Sequence, residues 1–213
     1  MTKQPVALEA RQSDEGRLFS PSAGRNKAVI AAALSECLPK RASVLEIGSG
    51  TGEHGIETVG LRPDLTWQFS DPDAKSRDSQ AAWGAHAEQD FPLPLNLDMS
   101  DPQSVAKITE KYDVMFSANM IHIAPISALH GLAELAGRVL SEDGVMVLYG
   151  PFLFSEGSAQ SNLDFDMSLK RKNPDWGVRD LDAVKHIFAN NGLNSFERRD
   201  MPKNNFLLEL SRR

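Results

Sequence analysis

Three glycines at alternate positions, Gly48, Gly50 and Gly52, directly follow an apolar run that contains one acid, Glu46. Because glycine has no Cβ, such a loop can adopt positive φ and let a ligand lie against bare backbone. A helix that begins after the loop offers unpaired N–H groups to the same ligand. The stretch therefore predicts a binding site for a nucleotide-like cofactor.

Other polar side chains follow the predicted strands at the points where the strands end. Asp71 ends the second strand, Asp98 ends the third, and Asn119 with His122 follows the fourth. In a doubly wound sheet, ligands bind at the carboxyl ends of the strands, and an acid about 20 residues beyond the glycine loop usually holds ribose hydroxyls. Asp71 has that place, whereas Asp98 is equally interpreted as a ligand contact or a helix cap.

Predicted strands and helices alternate along most of the chain. The strands are expected at 43–47, 66–70, 92–97, 112–117 and 145–149, and an antiparallel pair at 194–199 and 206–210. This alternation is typical of a doubly wound α/β fold with a mostly parallel sheet and, here, a C-terminal antiparallel hairpin. We expect one domain over 1–213, with a mobile arm over 1–18 and a lid or substrate wall inserted over 150–179.

Composition restricts the class of function. The formal net charge of −6 argues against a sequence-independent nucleic-acid binder, which needs a basic face. The single cysteine, Cys37, excludes an intrachain disulfide and suits a reducing compartment. No apolar run is long enough to cross a bilayer, and the N-terminus lacks a secretory apolar region. We therefore expect a cytoplasmic protein with a small-molecule substrate and neither a nucleic-acid nor a membrane partner.

Asn119 and His122 are the predicted catalytic residues. The unperturbed pKa of histidine, about 6.5, permits proton acceptance near neutral pH, so His122 is interpreted as a general base or a substrate contact. A structural histidine bonded to backbone is the alternative. The other histidines share no spacing with Cys, Asp or Glu that defines a metal site, so we predict no metal.

The glycine loop fits two cofactor patterns. Residues 50–55 match the G-x-G-x-x-G pattern of NAD(P)-binding proteins. The predicted strand ends at Ile47, however, so the turn begins at Gly48, two residues before that pattern requires. Counted from Gly48, the pattern is acid-x-G-x-G-x-G, in which Glu46 can orient the loop and attract a cationic ligand. S-adenosylmethionine is cationic at sulfur and has no phosphate, so this count favours it.

The same loop resembles motif I of class I S-adenosylmethionine-dependent methyltransferases. More narrowly, the chain from Phe19 to Arg212 resembles the methyltransferase-like protein 26 family, whose bacterial members are long described as a domain of unknown function. The motifs that carry this resemblance lie at 19–27, 119–125, 149–152, 161–166, 176–180 and 201–205. The resemblance implies a Rossmann-like class I methyltransferase fold, with S-adenosylmethionine as cofactor and S-adenosylhomocysteine as product.

Together, the loop and the resemblance define a larger predicted site. Its cofactor-binding residues are Glu46, Gly48, Ser49, Gly50, Thr51, Gly52, Asp71, Asp98, Asn119, Arg25 and Asn26. Its substrate contacts are Tyr149, Phe152, Asn162, Trp176, Arg179, Asn204 and Asn205. Trp176 with Arg179 suits an anionic or planar substrate, and an ordinary packed lid is the alternative.

The expected function is transfer of a methyl group from S-adenosylmethionine to an oxygen, nitrogen or sulfur atom of a small molecule. The chain lacks the Asn-Pro-Pro-aromatic run of enzymes that methylate amino groups of nucleic-acid bases, which argues against that class. Two alternatives remain: a regulatory module that binds the cofactor without catalysis, and an NAD(P)-dependent oxidoreductase. An insertion that encloses Asn119 and His122 would favour the enzyme over the module.

Overall fold

The computed structural model describes residues 10–213, which form two compact units. The first unit ends at Leu97 and the second begins at Asp98. Each unit contains one pair of parallel strands together with the helices that follow those strands. The expectation of a single domain over the whole chain stays a prediction.

The described part of the first unit contains four strands and three helices. They are β1 (Gln12–Asp14), β2 (Arg17–Phe19), α1 (Pro21–Cys37), β3 (Ser43–Glu46), α2 (Glu53–Leu61), β4 (Thr66–Gln68) and α3 (Ala74–His86). β3 and β4 pair in parallel. Gly55 lets α2 approach β4 closely, because a Cβ there would lie 2.5 Å from Nε1 of Trp67. This packing accounts for Gly55, so its match to the dinucleotide pattern requires no dinucleotide.

β1 and β2 form an antiparallel hairpin within the predicted mobile arm. The hairpin packs on α3, where the buried Arg17 guanidinium lies 5.2 Å from the ring centre of Trp83. The backbone N–H of Leu18 donates to Ser79 Oγ at 2.8 Å. The sequence predicted no regular structure here. The contacts that hold the hairpin join it to residues more than sixty positions away, and a local sequence pattern does not show such contacts. Residues 1–9 of the predicted arm lie outside the described range.

Residues 92–97 do not form the third strand that the sequence predicted. Leu95 makes only an isolated parallel bridge with Ser70. The Leu95 N–H and carbonyl bond to Phe69 and Asp71, but the Leu93 carbonyl accepts from the Gln68 side chain at 2.9 Å instead of from backbone, so the ladder does not continue. The prediction of a strand at this place is wrong, although the segment does run beside the end of β4.

The second unit supplies the remaining elements. They are α4 (Pro102–Ala106), β5 (Tyr112–Ala118), α5 (Ile126–Val139), β6 (Leu140–Pro151), α6 (Gln160–Lys172), α7 (Leu181–Ala189), β7 (Ser195–Met201) and β8 (Asn205–Ser211), with 3₁₀ turns at Met120–His122 and Pro202–Asn204. β5 and β6 pair in parallel, and β8 is antiparallel to both β6 and β7. The predicted α/β fold, mostly parallel with a C-terminal antiparallel hairpin, is confirmed.

Two further observations concern the whole of residues 10–213. Within this range no helix is both long and apolar enough to span a bilayer. The same range contains no group of three or more His, Cys, Asp or Glu side chains arranged to hold a metal ion.

Candidate functional site

The loop between β3 and α2 has the backbone conformation that its glycines predict. Gly48, Gly50 and Gly52 all have positive φ, at 66°, 56° and 92°. β3 ends at Glu46, so the turn begins before Gly50, which supports the count from Gly48. Among residues 10–213, a Cβ on Gly50 would meet only the Arg11 guanidinium, at 3.8 Å. The loop therefore presents bare backbone at Gly50, as a closely approaching ligand requires.

Asp71 lies beside the glycine loop, where the sequence placed it. Its Oδ2 accepts a hydrogen bond from the backbone N–H of Gly50 at 2.9 Å, and its Oδ1 accepts one from Asp73 at 2.9 Å. The residue is 8% exposed, and burial raises the pKa of its carboxyl above the ordinary value. Each carboxylate oxygen has a second lone pair, so both can still accept a ligand hydroxyl.

Glu46 is buried at the end of β3, with 1% of its surface exposed. Its Oε2 accepts from Nε1 of Trp67 at 3.0 Å. Burial raises the pKa of Glu46 to about 8, against the opposing effect of the Trp67 hydrogen bond. The side chain is therefore mostly neutral near pH 7. In the free chain it anchors the strand end and does not supply the negative charge that the sequence predicted.

Glu46→Gln is expected to reduce the pH dependence of stability. The pKa of Glu46 rises from 4.5 to about 8 on folding, so the folded state retains a proton that the unfolded state loses over this range. The associated stabilisation is full below pH 4.5 and is lost as pH rises through about 8, by about 1.4 kcal/mol per pKa unit. Glutamine has no such proton to lose and can still accept from Trp67.

The free energy of unfolding, measured by urea denaturation at several values between about pH 5 and pH 8, tests this expectation. Glu134→Gln, at an exposed position on α5, is the control and should keep the wild-type slope. A Glu46→Gln variant whose stability falls as steeply with pH as the wild type would contradict the assignment.

Sequence reasoning missed Glu53, a buried carboxylate in the first turn of α2. Its Oε2 accepts from the backbone N–H of Ser20 at 2.8 Å and from Oγ1 of Thr51 at 2.9 Å. Lys27 Nζ lies 3.6 Å from its Oε1. Glu53 thus joins the start of α1 to the glycine loop. The sequence signal for Glu53 was its position in the first turn of a predicted helix, because a carboxylate is stabilised at a helix N-terminus.

The two predicted cofactor residues of α1 have different surroundings. Asn26 Oδ1 lies 2.9 Å from Nε2 of His54 in α2. Burial, followed by the charge of Lys27, lowers the pKa of His54 to about 4. The neutral ring therefore donates from Nε2 to Asn26. Arg25 lies at an exposed position on α1. The structure thus connects Asn26 to the helix that follows the glycine loop.

Asp98, at the start of the second unit, stabilises a turn. Its Oδ1 accepts from the backbone N–H of Ser100 at 2.8 Å and from the Ser100 hydroxyl at 2.7 Å. The helix that follows is capped by Asp101, which accepts from the N–H of Gln103 at 2.9 Å, so the interpretation of Asp98 as the helix cap is wrong. A contact with the cofactor stays a prediction.

Asn119 and His122 lie at the carboxyl end of β5. Asn119 has a φ of 60°, and its N–H donates to the carbonyl of the buried Tyr149 at 2.8 Å. His122 is 1% exposed, and its Nδ1 accepts from the backbone N–H of Arg179 at 3.3 Å. Burial, followed by the charge of Arg179, lowers the pKa of His122 to about 3. The ring is neutral at physiological pH and bonded to backbone, which matches the structural alternative and argues against a general base, and a substrate contact stays a prediction.

Arg179 binds backbone carbonyls within the second unit. Its Nε donates to Ile121 at 2.9 Å, and its terminal nitrogen donates to Ala124 at 2.6 Å and to Asp175 at 3.2 Å. Trp176 is half-buried in the same segment. The guanidinium thus fixes the 3₁₀ turn after β5 to the insertion. This arrangement matches the packed-lid alternative for Arg179 and leaves an anion contact as a prediction.

The remaining predicted substrate residues connect the insertion to the last hairpin. Asn162 Nδ2 donates to the carbonyl of buried Phe152 at 3.2 Å and to that of Asn204 at 2.9 Å. Asn204 Nδ2 in turn donates to the Ser161 hydroxyl at 3.0 Å. The side chain of Asn205 donates within its own turn, to the carbonyl of Pro202 at 3.0 Å. The structure therefore brings Asn162 and Asn204 together. The sequence alone could not show this contact, because the two residues are far apart in the chain.

The fold is similar to those of several solved methyltransferases. An O-methyltransferase family protein from Burkholderia thailandensis has a TM-score of 0.73 and 14% identity, over 90% of this chain and 56% of that chain. CalO1, a methyltransferase in calicheamicin biosynthesis solved in its S-adenosylhomocysteine-bound form, has a TM-score of 0.72 and 13% identity. This match covers 89% of this chain and 54% of CalO1. Human N-acetylserotonin methyltransferase, solved in complex with S-adenosylmethionine, has a TM-score of 0.67 and 13% identity. This match covers 89% of this chain and 52% of the human enzyme. The chain spans about half the length of these proteins, and the likeness shows the fold.

A family model matches almost the whole chain. The matched range is 17–212, and the family is described as a protein of unknown function, DUF938. The range includes the glycine loop, Asp71, Asn119 and His122. The chain therefore belongs to the DUF938 family.

Proposed function

We propose that this protein is an S-adenosylmethionine-dependent methyltransferase that acts on a small molecule. The observation that carries the proposal is the glycine loop, in which three glycines with positive φ follow Glu46 and Asp71 binds the N–H of Gly50. Two compared methyltransferases were solved with S-adenosylmethionine or its demethylated product, which supports the same cofactor here. The likeness to the methyltransferase-like protein 26 family stays a resemblance on the motifs given above.

The residues at the loop fit this cofactor. Asp71 keeps a lone pair on each carboxylate oxygen for a ribose hydroxyl, and the missing Cβ of Gly50 leaves the backbone accessible. A cation bound nearby would favour the ionised form of Glu46 and lower its pKa. Phosphate groups would instead be repelled by the carboxylate of Asp71, and the neutral Glu46 would offer them no opposite charge. The acidic surroundings therefore support S-adenosylmethionine over NAD(P), and the compared structures give the oxidoreductase alternative no support.

The bound cofactor supplies a methyl group on a positively charged sulfur, which is already activated for transfer. The chain has to hold the methyl acceptor in line and exclude water, and such orientation contributes roughly 7–11 kcal/mol. His122, buried and neutral with Nδ1 already accepting a hydrogen bond, is poorly suited to remove a proton. We infer that the oxygen, nitrogen or sulfur nucleophile reaches the protein without needing His122 as its base.

The insertion supports an enzyme over a regulatory module. Gly177 donates its N–H to the carbonyl of His122 at 2.9 Å, and the N–H of Arg179 donates to the ring at 3.3 Å. Residues of the insertion thus cover His122. A segment packed onto the end of β5 in this way suits the wall of a substrate site more than an open surface that binds a partner protein.

Transfer of labelled methyl groups tests the proposal. The purified protein, incubated with methyl-tritiated S-adenosylmethionine and a panel of phenols, carboxylic acids, thiols and amines, should move label into at least one extracted compound. The reaction without an acceptor is the control. Tight binding of the cofactor with no label transferred to the panel or to a metabolite extract would contradict the enzyme and favour the regulatory module.

A further inference from the structure

Arg11, in the first unit just before β1, extends its guanidinium over the glycine loop. A Cβ built on Gly50 would lie 3.8 Å from Nη2 of Arg11. Apart from the neighbours of Gly50 in the loop itself, no other atom of residues 10–213 comes within 4 Å of that point. A ligand that lies against this face of the loop therefore lies beside the guanidinium.

The nitrogen of Arg11 that faces the loop has no hydrogen-bond partner among residues 10–213. The only hydrogen bond of this side chain within that range is from Nη1 to Ser76 Oγ, at 2.9 Å. A carboxylate oxygen of Asp73 lies 4.0 Å from Nη1, which is too far for a hydrogen bond. A guanidinium has five N–H donors, so Arg11 retains donors for a ligand.

The start of α3 holds Arg11 in this position. Ser76 Oγ accepts from Arg11 and donates to Asp73 Oδ2 at 2.9 Å. The same Asp73 oxygen accepts from the backbone N–H of Ser76 at 3.0 Å and so caps the helix. Asp73 is thus engaged by α3, and it forms no direct hydrogen bond with the guanidinium. The arginine side chain, 25% exposed, is positioned by the helix and can still bind an anion.

The charge of Arg11 also acts on Asp71, on the other side of the same loop residue. Burial raises the pKa of Asp71, and the charge of Arg11 is among the effects that oppose this rise. Asp71 Oδ2 accepts from the N–H of Gly50 at 2.9 Å. A carboxylate and a guanidinium therefore flank Gly50. A ligand that satisfies both carries hydroxyl groups for the one and a negatively charged group for the other.

We propose that Arg11 binds the carboxylate of the methionine portion of S-adenosylmethionine. That carboxylate is the only negatively charged group of the cofactor, and a guanidinium can pair with a carboxylate through two parallel N–H···O bonds. Arg11 thereby selects a cofactor whose amino-acid end is intact. Its role rests on the proposed function, which takes S-adenosylmethionine as the ligand of the loop. Arg11 precedes the family match, which begins at residue 17.

Calorimetric titration with S-adenosylmethionine and with decarboxylated S-adenosylmethionine tests this role. The second compound keeps the adenosine, the sulfonium and the amine and lacks only the carboxylate. We expect the wild-type protein to bind it about tenfold more weakly than S-adenosylmethionine, the effect of a charge-assisted hydrogen bond partly exposed to water. Arg11→Ala should bind S-adenosylmethionine about tenfold more weakly than the wild type does and should bind the decarboxylated compound equally well.

Two further variants separate a paired contact from a general effect of charge. Arg11→Lys keeps the positive charge but loses the planar pair of donors, so its affinity for S-adenosylmethionine should lie between those of Arg11→Ala and the wild type. Lys75→Ala removes an exposed positive charge from the first turn of α3 and is the control. It should bind both compounds as the wild type does. Thermal melting followed by circular dichroism measures folding of each variant.

The same titrations distinguish failure of this role from failure of the proposed function. Equal affinity of the wild type for the two compounds, or an equal loss for both in Arg11→Ala, would overturn the role of Arg11 and leave the proposed cofactor in place. Tighter binding of S-adenosylmethionine by Arg11→Ala would also overturn it, because the guanidinium would then obstruct the loop. Binding of neither compound by the wild type would overturn the proposed function together with the role of Arg11.

Discussion

Gly50→Val is expected to abolish binding of S-adenosylmethionine while the chain stays folded. Gly50 has a φ of 56°, which a β-branched residue adopts only with strain. The new side chain would also cover the backbone that we assign to the cofactor. We expect the affinity to fall at least about a hundredfold, which corresponds to about 2.7 kcal/mol. Titration calorimetry measures the affinity, and circular dichroism with thermal melting measures folding.

Gly192→Val is the matched control for this variant. Gly192 has a φ of 88°, it is exposed after α7, and a Cβ there would meet no atom of the described residues within 4 Å. Both variants should therefore lower the melting temperature through backbone strain, but only Gly50→Val should lose the cofactor. Unchanged affinity in Gly50→Val, or the same loss of affinity in both variants, would contradict the assignment of the glycine loop to cofactor binding.

Asp71→Ala is expected to lower the affinity for S-adenosylmethionine by about 10- to 100-fold. The change removes the carboxylate that we assign to the ribose hydroxyls, and hydrogen bonds to charged groups contribute about 1.5–3 kcal/mol. It also releases the N–H of Gly50, which Asp71 holds at 2.9 Å, so the loop loses part of its orientation. The dissociation constant from calorimetry is the measurement.

Asp180→Ala controls for the loss of a capping carboxylate. Asp180 caps α7 by accepting from the N–H of Ala183 at 2.9 Å, and it lies outside the proposed cofactor residues. We expect a modest loss of stability, about 1 kcal/mol, and no change in cofactor affinity. An Asp71→Ala variant that binds the cofactor as well as Asp180→Ala does would contradict the ribose assignment.

Much of the fold was predictable because its signals are local. Apolar runs bounded by turn residues identified β3, β4 and β5, and alternating glycines identified the loop that β3 leads into. The place of Asp71 followed from the general rule on ligands at the ends of parallel strands. These features depend on residues close together in the chain, so one sequence was enough to find them.

The remaining features depend on contacts between distant parts of the chain. The hairpin at 12–19 depends on Arg17 stacking over Trp83, and the role of Arg179 depends on carbonyls more than fifty residues earlier. The predicted third strand does not form because the Gln68 side chain, 25 residues earlier, takes the Leu93 carbonyl that a ladder would use. The protonation of His122 followed only from the backbone N–H that faces its Nδ1. Local sequence patterns do not identify contact partners that lie far away in the chain.

Cofactor binding by the wild-type protein tests the central claim most directly. Titration calorimetry should be carried out with S-adenosylmethionine, S-adenosylhomocysteine, NAD and NADP under one set of conditions. We predict saturable binding at one site for the first two compounds and no binding heat for the two dinucleotides. Binding of NAD or NADP without binding of S-adenosylmethionine would contradict the account.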